Sequence, residues 1–173
     1  MERLIQMGKQ IVAPLDSVGD WVALLAIRLL MAYEFTNAGL RKFNASDSWY
    51  ADVPNWFANT AAGFPFPISV FSIEFNWFAV TWIEILGGLS LLLGLFTRFW
   101  ALSLIIVSIV AISGAHMPDE WSGLAELWKG YAVSDKGFGN FRIPLLFIAM
   151  LMPLLFKGAG KLSIDGLLVR KTS

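Results

Sequence analysis

The chain has 173 residues, of which 57% are hydrophobic and 15% are charged, and its mean hydropathy is +0.63. Soluble domains are about 45–50% apolar and about 25% charged, so a membrane protein is predicted. Thirteen basic and thirteen acidic residues give zero formal net charge, which argues against a nucleic-acid partner, and the lack of cysteine excludes disulfides, a CxxC redox pair and a thiolate nucleophile.

The first segment, residues 1–20, is too polar and interrupted for a secretory signal, and no small-residue cleavage site follows a short apolar core. Its apolar side chains recur at near-helical spacing, at Leu4, Met7, Ile11 and Leu15. This pattern predicts an interfacial amphipathic helix that lies on the membrane until Pro14 breaks it.

Four apolar stretches then predict an all-α, integral membrane four-helix bundle. The spans are expected at about residues 21–40, 76–96, 99–115 and 138–157, within a membrane domain of residues 21–157 that a tail of residues 158–173 follows. The fourth span is the weakest, because its apolar stretch "IPLLFIAMLMPLLF" is only about 21 Å long. A span that begins at residue 138 is long enough to cross the membrane, provided that Arg142 extends its guanidinium to the headgroups. Pro144 suits a first helical turn, and Pro153 is expected to bend the last one.

The predicted topology follows from the loops and their basic residues. Spans two and three are joined by only "TR", which forces an antiparallel hairpin, and the longer loops lie on the opposite side. The side of the termini carries seven basic residues: Arg3, Lys9, Arg98, Lys157, Lys161, Arg170 and Lys171. The other side carries five: Arg41, Lys42, Lys129, Lys136 and Arg142. The positive-inside rule therefore predicts that both termini are cytoplasmic.

The two outer loops are rich in aromatic residues: Trp49, Tyr50, Trp56, Phe57, Phe64, Phe66, Trp121, Trp128 and Tyr131. In the second loop, apolar residues repeat at helical spacing after Pro118, which predicts a short interfacial helix. These loops either anchor the protein in the outer leaflet or form a docking surface for a partner or substrate.

Charged residues inside the predicted spans indicate a candidate functional site near the outer surface of the membrane. Glu84 lies about 12 Å below the outer surface and Glu34 about 9 Å below it, while the single histidine, His116, ends span three at the same side. Two carboxylates and an imidazole on three helices can thus share one outer-leaflet depth. Both acids are candidate proton carriers, and the alternative for Glu84 is a structural interhelical hydrogen bond.

A second group of polar residues lies on span one. Asn37 and Arg41 follow Glu34 at i+3 and i+7 and form a polar stripe with it. Arg28 lies deeper and needs an acceptor on another helix, a path to the inner surface, or an anionic or quinone-like ligand. We therefore treat Arg28, Asn37, Arg41 and His116 as candidate ligand-binding residues.

A metal site is only weakly indicated. His116 and Met117 could serve soft copper, but one histidine and one methionine are a poor donor set. Gly87 and Gly88 follow Glu84 and would let another helix approach closely, which turns the Glu84 carboxyl group into the bundle.

The sequence resembles the DoxX-like membrane proteins over about residues 22–166. The resemblance is carried by "IRLLMAYEFTNAGLRKF", "GFP", "IEILGGLSLLLGLFTRF" and the closing "GAGKLSIDGLL". The aromatic outer loops and "DKGFGNFRIPLLF" are similar to the HvfX-like branch, which accompanies copper-binding, ribosomally made peptides.

The resemblance implies a four-helix bundle in a bacterial cytoplasmic membrane, linked to quinone-coupled sulfur oxidation, oxidative-stress complexes or maturation of periplasmic redox proteins. It carries over Arg28, Glu34, Gly39, Lys42, Glu84, Gly87, Gly88, Arg98 and Asp165 as family-pattern positions. Structural roles are expected for the glycines, including Gly94, and for Arg98 and Asp165.

Three functions follow. The first is a redox accessory, or oxidoreductase component, that holds a quinone and takes electrons from the thiols or copper of a protein partner. The second is a non-catalytic anchor or assembly factor in a peptide-maturation complex. The third is a small copper or proton transporter, which would need to form a homo-oligomer.

Overall fold

The computed structural model describes residues 1–47, 52–117, 123–131 and 140–172. The described chain is all-helical. Its α-helices are α1 (Glu2–Asn44), α2 (Asn55–Ala61), α3 (Ile73–Leu93), α4 (Thr97–Ala111), α5 (Leu124–Tyr131), α6 (Arg142–Lys157) and α7 (Ile164–Thr172). A 3₁₀ turn spans Ile68–Val70, and a π-helical turn, Ile112–His116, extends α4.

Three helical segments of the described chain are long and apolar enough to cross a membrane: Trp21–Asn44, Ile73–Leu93 and Thr97–His116. The outward faces of α3 and α4 expose large apolar side chains, among them Leu86, Leu89, Leu93, Leu102 and Ile109. Contiguous exposed apolar faces of this kind are expected where a helix contacts lipid rather than water. The chain is therefore a membrane protein with three candidate spanning helices.

The N-terminal segment differs from the prediction, because Pro14 does not end a helix. Residues 2–20 are helical, but they continue without interruption into the first candidate span as the single helix Glu2–Asn44. A proline removes one backbone hydrogen bond and can be accommodated within a long helix. Whether the first turns lie on the membrane surface stays a prediction.

The turn between α3 and α4 also falls earlier than predicted. Ser72 caps α3 by accepting the Phe75 N–H at 3.2 Å, and α3 ends at Gly94, whose φ of +66° is left-handed. Glycine adopts this conformation at little cost, so it ends a helix readily. The connection is therefore residues 94–96, and Thr97 and Arg98 belong to α4 instead of forming the link.

The helices pack in pairs around one apolar core. The closest neighbours are α1 with α3, α3 with α4, and α4 with α6, and α6 also contacts α1. The buried core comprises Leu24, Met31, Ala32, Phe35, Leu91, Ala101, Leu104, Ile105, Leu151 and Leu154. Close approach of α1 and α3 depends on Gly39 and Gly88, since a Cβ at Gly88 would lie 2.8 Å from the Thr36 nitrogen and 3.0 Å from the Ala32 oxygen.

The segment that follows α6 is tied to the core. Asp165 accepts the Phe96 and Thr97 N–H groups at 2.9 Å each, one with each carboxylate oxygen, and its own N–H donates to the Gly94 oxygen at 3.0 Å. The carboxylate therefore caps the start of α4 from a helix that follows almost seventy positions later. We call this end of the molecule the terminal end, and the end that holds His116 and α2 the loop end.

Candidate functional site

A cavity of about 630 Å³ lies at the loop end, and we call it the loop-end cavity. One wall is the face of α3 from Phe75 to Glu84, and the opposite wall is α4 from Ser103 to the π-helical turn. The segment of α2 and the 3₁₀ turn closes its remaining side. Its size lies within the roughly 300–1,000 Å³ of ordinary ligand sites, and its lining is mainly apolar.

An ion pair stands at the edge of this cavity. The Lys42 ammonium group donates to both oxygens of Glu84, at 2.9 and 2.7 Å, and joins α1 to α3. The side chain of Glu84 is 7% exposed and that of Lys42 is 19% exposed. A carboxylate at this depth needs a cation or several donors, and Lys42 supplies both its charge and its hydrogen bonds.

His116 lines the same cavity from the opposite wall, at the last position of the π-helical turn. The imidazole makes no hydrogen bond with any residue that the structure describes. A π-helical turn widens a helix by one residue and is often found at functional sites. Here it places the histidine in the lining of the cavity that Glu84 also lines.

Aromatic residues of the first loop form the roof of the cavity. Phe57 is buried, and its ring lies 4.9 Å from that of Trp77 on α3, while the Trp56 ring lies 5.7 Å from Trp77. Gly114 makes this packing possible, because a Cβ there would lie 2.7 Å from the Phe64 ring. This loop therefore packs on the protein, although Trp56 remains 53% exposed.

Asn76 holds the roof in place. Its side-chain amide donates to the Ile68 oxygen at 3.2 Å and to the Phe71 oxygen at 3.4 Å, which links the 3₁₀ turn to α3. The two hydroxyls in the lining, Thr60 and Ser103, donate to carbonyls of their own helices. The groups that remain suited to a ligand are consequently His116 and the Lys42–Glu84 pair.

The other predicted residues of span one lie elsewhere. Glu34 and Asn37 are half-buried on α1 and do not line the loop-end cavity. Arg41 is exposed and donates from Nε to the Asn37 oxygen at 3.4 Å. Of the three predicted outer-leaflet groups, Glu84 and His116 are thus brought together, and Glu34 is not.

Arg28 lies at the terminal end, away from the cavity, and is 2% exposed. Its Nε donates to the Leu91 oxygen at 2.8 Å and its Nη2 to the Leu92 oxygen at 3.3 Å, at the end of α3. Nη1 donates to the oxygens of Ala159 and Leu162, at 2.7 and 3.0 Å. Arg28 therefore joins α1, α3 and the segment after α6 through backbone carbonyls, the first of the three options that the sequence left open.

The described residues do not offer a built metal site. No group of three His, Asp or Glu residues within them could hold a metal ion. His116 and Met117 are adjacent, and Met117 is 39% exposed. Two such donors do not make a tight copper site.

Sequence reasoning missed the partner of Glu84 and most of the cavity wall. Lys42 was identified only as a family-pattern position, yet an intramembrane acid with a cation at the same depth on another span is a usable signal. The roof could not have been identified in the same way, because aromatic loop residues are equally compatible with a membrane interface. Trp121 and the residues that begin the second predicted loop helix lie outside the described residues.

The chain can be compared with known proteins. The model of the DoxX family matches residues 23–117. A relative in Haemophilus influenzae, described as an uncharacterized protein, is 34% identical over 154 residues, which cover 89% of this chain and 88% of the relative. No solved structure matches. The matched residues include both members of the Lys42–Glu84 pair, His116 and the whole of α3 and α4, and the chain belongs to the DoxX family.

Proposed function

We propose that this protein binds a quinone in the loop-end cavity and acts as a membrane accessory in quinone-linked redox chemistry. The observation that carries the proposal is an apolar, aromatic-roofed cavity with a buried ion pair on one wall and a histidine on the other. An amphipathic ring with carbonyl oxygens suits such a cavity, since the ring packs on apolar side chains and the oxygens need donors.

The residues of the cavity have distinct parts in this proposal. The Lys42 ammonium group and the His116 imidazole can donate hydrogen bonds to carbonyl oxygens. Glu84 orients Lys42 by accepting two of its hydrogen bonds, and with His116 it can pass protons between the cavity and the loop end. A bound quinone would supply the redox chemistry, since its reduction to the quinol takes up two electrons and two protons.

The electrons must come from a partner. The chain has no cysteine and its described residues no group of three metal ligands. A dithiol on a partner would lose two electrons and two protons and become a disulfide. In the HvfX-like setting, the partner belongs to the maturation of a copper-binding peptide, and the copper is carried by that peptide.

The proposed topology has four spans and two cytoplasmic termini. The fourth span is α6, which contacts α4 and α1 as a bundle member would. The larger number of basic residues near the termini supports this orientation in a bacterial cytoplasmic membrane. The loop-end cavity then faces the periplasm, where a secreted partner is available.

Quinone retention tests the proposal directly. Lipid nanodiscs are prepared with decylubiquinone and analysed by native mass spectrometry for the wild type, Glu84→Gln and Glu74→Gln. Glu74 is a matched control because it is an exposed acid on the same helix and does not line the cavity. The wild type and Glu74→Gln are expected to retain the quinone, and Glu84→Gln to lose it.

A second variant separates binding from folding. Ala79→Phe fills the cavity from the α3 wall without altering the ion pair. It should abolish retention while circular dichroism still reports a helical protein. A wild type that retains no quinone, or an Ala79→Phe variant that retains as much as the wild type, would contradict the proposal.

A second candidate function, a non-catalytic anchor or assembly factor, is favoured by α5. Leu124 and Trp128 on this helix are 83% and 72% exposed, and the Trp128 ring stacks 5.4 Å from that of Tyr131. A photo-crosslinking residue at Leu124 or Trp128 should capture one and the same maturation partner in cells. If it captures no more than a crosslinker at the lipid-facing Leu102, this role is excluded.

A further inference from the structure

A second cavity, of about 1020 Å³, lies at the terminal end and opens to the surface; we call it the basic cavity. It is formed by the start of α4, the segment that follows α6, and α7. Neither Glu84 nor His116 lines it, so it is separate from the loop-end cavity. Its ligand is therefore an independent question, and the answer does not rest on the quinone proposal.

Three cations line the basic cavity: Arg98, Lys157 and Lys161. The Arg98 Nε lies near the chain at Gly158, 3.5 Å from the position of a Cβ there, and the Lys161 ammonium group lies 5.2 Å from the centre of the Trp21 ring. The Arg98 side chain thus lies beside Gly158, and a cation–π contact joins Lys161 to α1. Basic groups therefore lie on both sides of the cavity's glycine-rich segment in the sequence, one on α4 and one just after Gly160.

The acid in the lining does not cancel this charge. Asp165 is the acidic residue among the lining residues, and both of its carboxylate oxygens accept backbone N–H groups at the start of α4. The carboxylate is thus directed at the α4 terminus, which it caps. The excess of positive charge in the cavity favours an anionic ligand.

Four apolar residues of the lining are exposed. Phe96 is 67% exposed, Phe99 62%, Leu168 54% and Val169 64%. A small soluble anion would leave these side chains in contact with water. A ligand with both an anionic group and hydrocarbon chains would cover them, and the neighbouring candidate spans have the length and composition of helices that lie in lipid.

We propose that the basic cavity binds an anionic phospholipid of the leaflet at the terminal end. The phosphate lies between Arg98 and Lys161 near the end of α6, and the acyl chains cover Phe96 and Phe99. The interfacial position is expected for basic residues at the ends of spans, which bind anionic headgroups through hydrogen bonds and charge. Because the cavity includes the segment to which Arg28 donates, the lipid would also hold together the elements that meet at this end.

The test compares lipids of different charge. The wild type and the double variant Arg98→Gln/Lys161→Gln are placed in phosphatidylcholine nanodiscs containing either phosphatidylglycerol or phosphatidylethanolamine, and retained lipid is measured by native mass spectrometry. The wild type should retain phosphatidylglycerol in preference to phosphatidylethanolamine. The amount of phosphatidylglycerol retained by the double variant should be lower by on the order of tenfold or more. Inorganic phosphate at millimolar concentration should displace little of it, because phosphate does not cover the apolar side chains.

A matched control places the loss at this cavity. Arg41→Gln removes an exposed cation from the loop end, outside both cavities, and should retain phosphatidylglycerol like the wild type. Circular dichroism and the thermal midpoint show whether each variant is folded. Equal retention of the two lipids by the wild type, an equal loss in the control variant, or displacement by inorganic phosphate would each overturn the proposal.

Discussion

Lys42 and Glu84 place opposite charges where water is largely excluded, so each side chain depends on the other. Removing one charge leaves its partner buried and uncompensated, which costs about 3–5 kcal/mol in a fully buried pair. Lys42 is partly exposed and can turn toward the surface, so Glu84→Gln should lower the free energy of unfolding by about 2–4 kcal/mol. Thermal unfolding in detergent measures this, with Glu74→Gln as the unchanged reference.

The double variant Lys42→Met/Glu84→Gln tests the cause of that loss. It removes both charges and leaves an apolar side chain in place of the lysine stem, so at least half of the lost stability should return. A double variant as unstable as Glu84→Gln alone would mean that the loss comes from packing around Glu84 and not from an unpaired lysine.

A substitution at Arg28 should lower stability without affecting quinone retention. Its guanidinium donates to four carbonyl oxygens, and a lysine ammonium group cannot reproduce that planar set of donors. Arg28→Lys should leave at least one buried carbonyl unpaired and lower the free energy of unfolding by about 1–3 kcal/mol. Quinone retention should persist in the folded fraction, because Arg28 does not line the loop-end cavity. Arg98→Lys, an exposed substitution of the same kind, should be neutral for stability.

The contrast between Glu84 and Arg28 shows how far single residues can be interpreted. An acid within an apolar run must face protein, so the burial of Glu84 follows from sequence. The partner depends on how α1 and α3 are aligned, which hydrophobic pattern does not specify. Arg28 could not be assigned, since its acceptors are backbone carbonyls, which every residue carries.

At the scale of elements, α1 offers two glycines in opposite surroundings. A Cβ at Gly39 would lie 2.8 Å from the Ile85 nitrogen and 3.0 Å from the Thr81 oxygen, so α1 and α3 would have to separate. Gly39→Ala should destabilise the protein by about 1–3 kcal/mol. Gly19→Ala, which meets nothing within 4 Å, should be neutral or stabilise by up to about 1 kcal/mol. Thermal midpoints compare the two, and equal shifts would contradict a role for Gly39 in close packing.

Helix positions were predicted better than their ends. The three candidate spans lie close to the predicted segments, because long apolar runs identify a membrane helix reliably. The ends of a helix depend on its capping residues. With Ser72 and Gly94 as caps, α3 begins and ends three residues earlier than predicted. Pro14 was expected to break a helix and did not, since its local cost competes with the propensity of the residues around it.

At the scale of the whole molecule, the terminal end is held together by contacts between distant parts of the chain. Arg28 and Asp165 connect α1, the α3–α4 turn and the segment after α6. Each end has a cavity, but the two differ in lining: the basic cavity carries Arg98, Lys157 and Lys161, and the loop-end cavity lies under a short aromatic loop. The two ends are therefore suited to different ligands, a division that the sequence alone does not indicate.

The number of spans is the last consequence of this architecture. Helix α6 has 16 residues and is about 24 Å long, against about 30 Å of hydrocarbon. It can still cross if the bilayer thins locally and if Arg142 and Lys157, at its two ends, extend to the headgroups. The chain has no cysteine, so single cysteines report the side of each end without interference.

Asn140→Cys and Leu162→Cys flank α6, and Ser69→Cys marks the loop end; all three leave Arg142 and Lys157 in place. If α6 crosses, a membrane-impermeant maleimide should label Asn140→Cys and Ser69→Cys in spheroplasts, but Leu162→Cys only after permeabilisation. Labelling of Asn140→Cys and Leu162→Cys from the same side would limit the protein to three spans. The termini would then lie on opposite sides, and the basic residues at Arg98 and at the end of α6 would still share the terminal end, because α6 packs against α4 in either case.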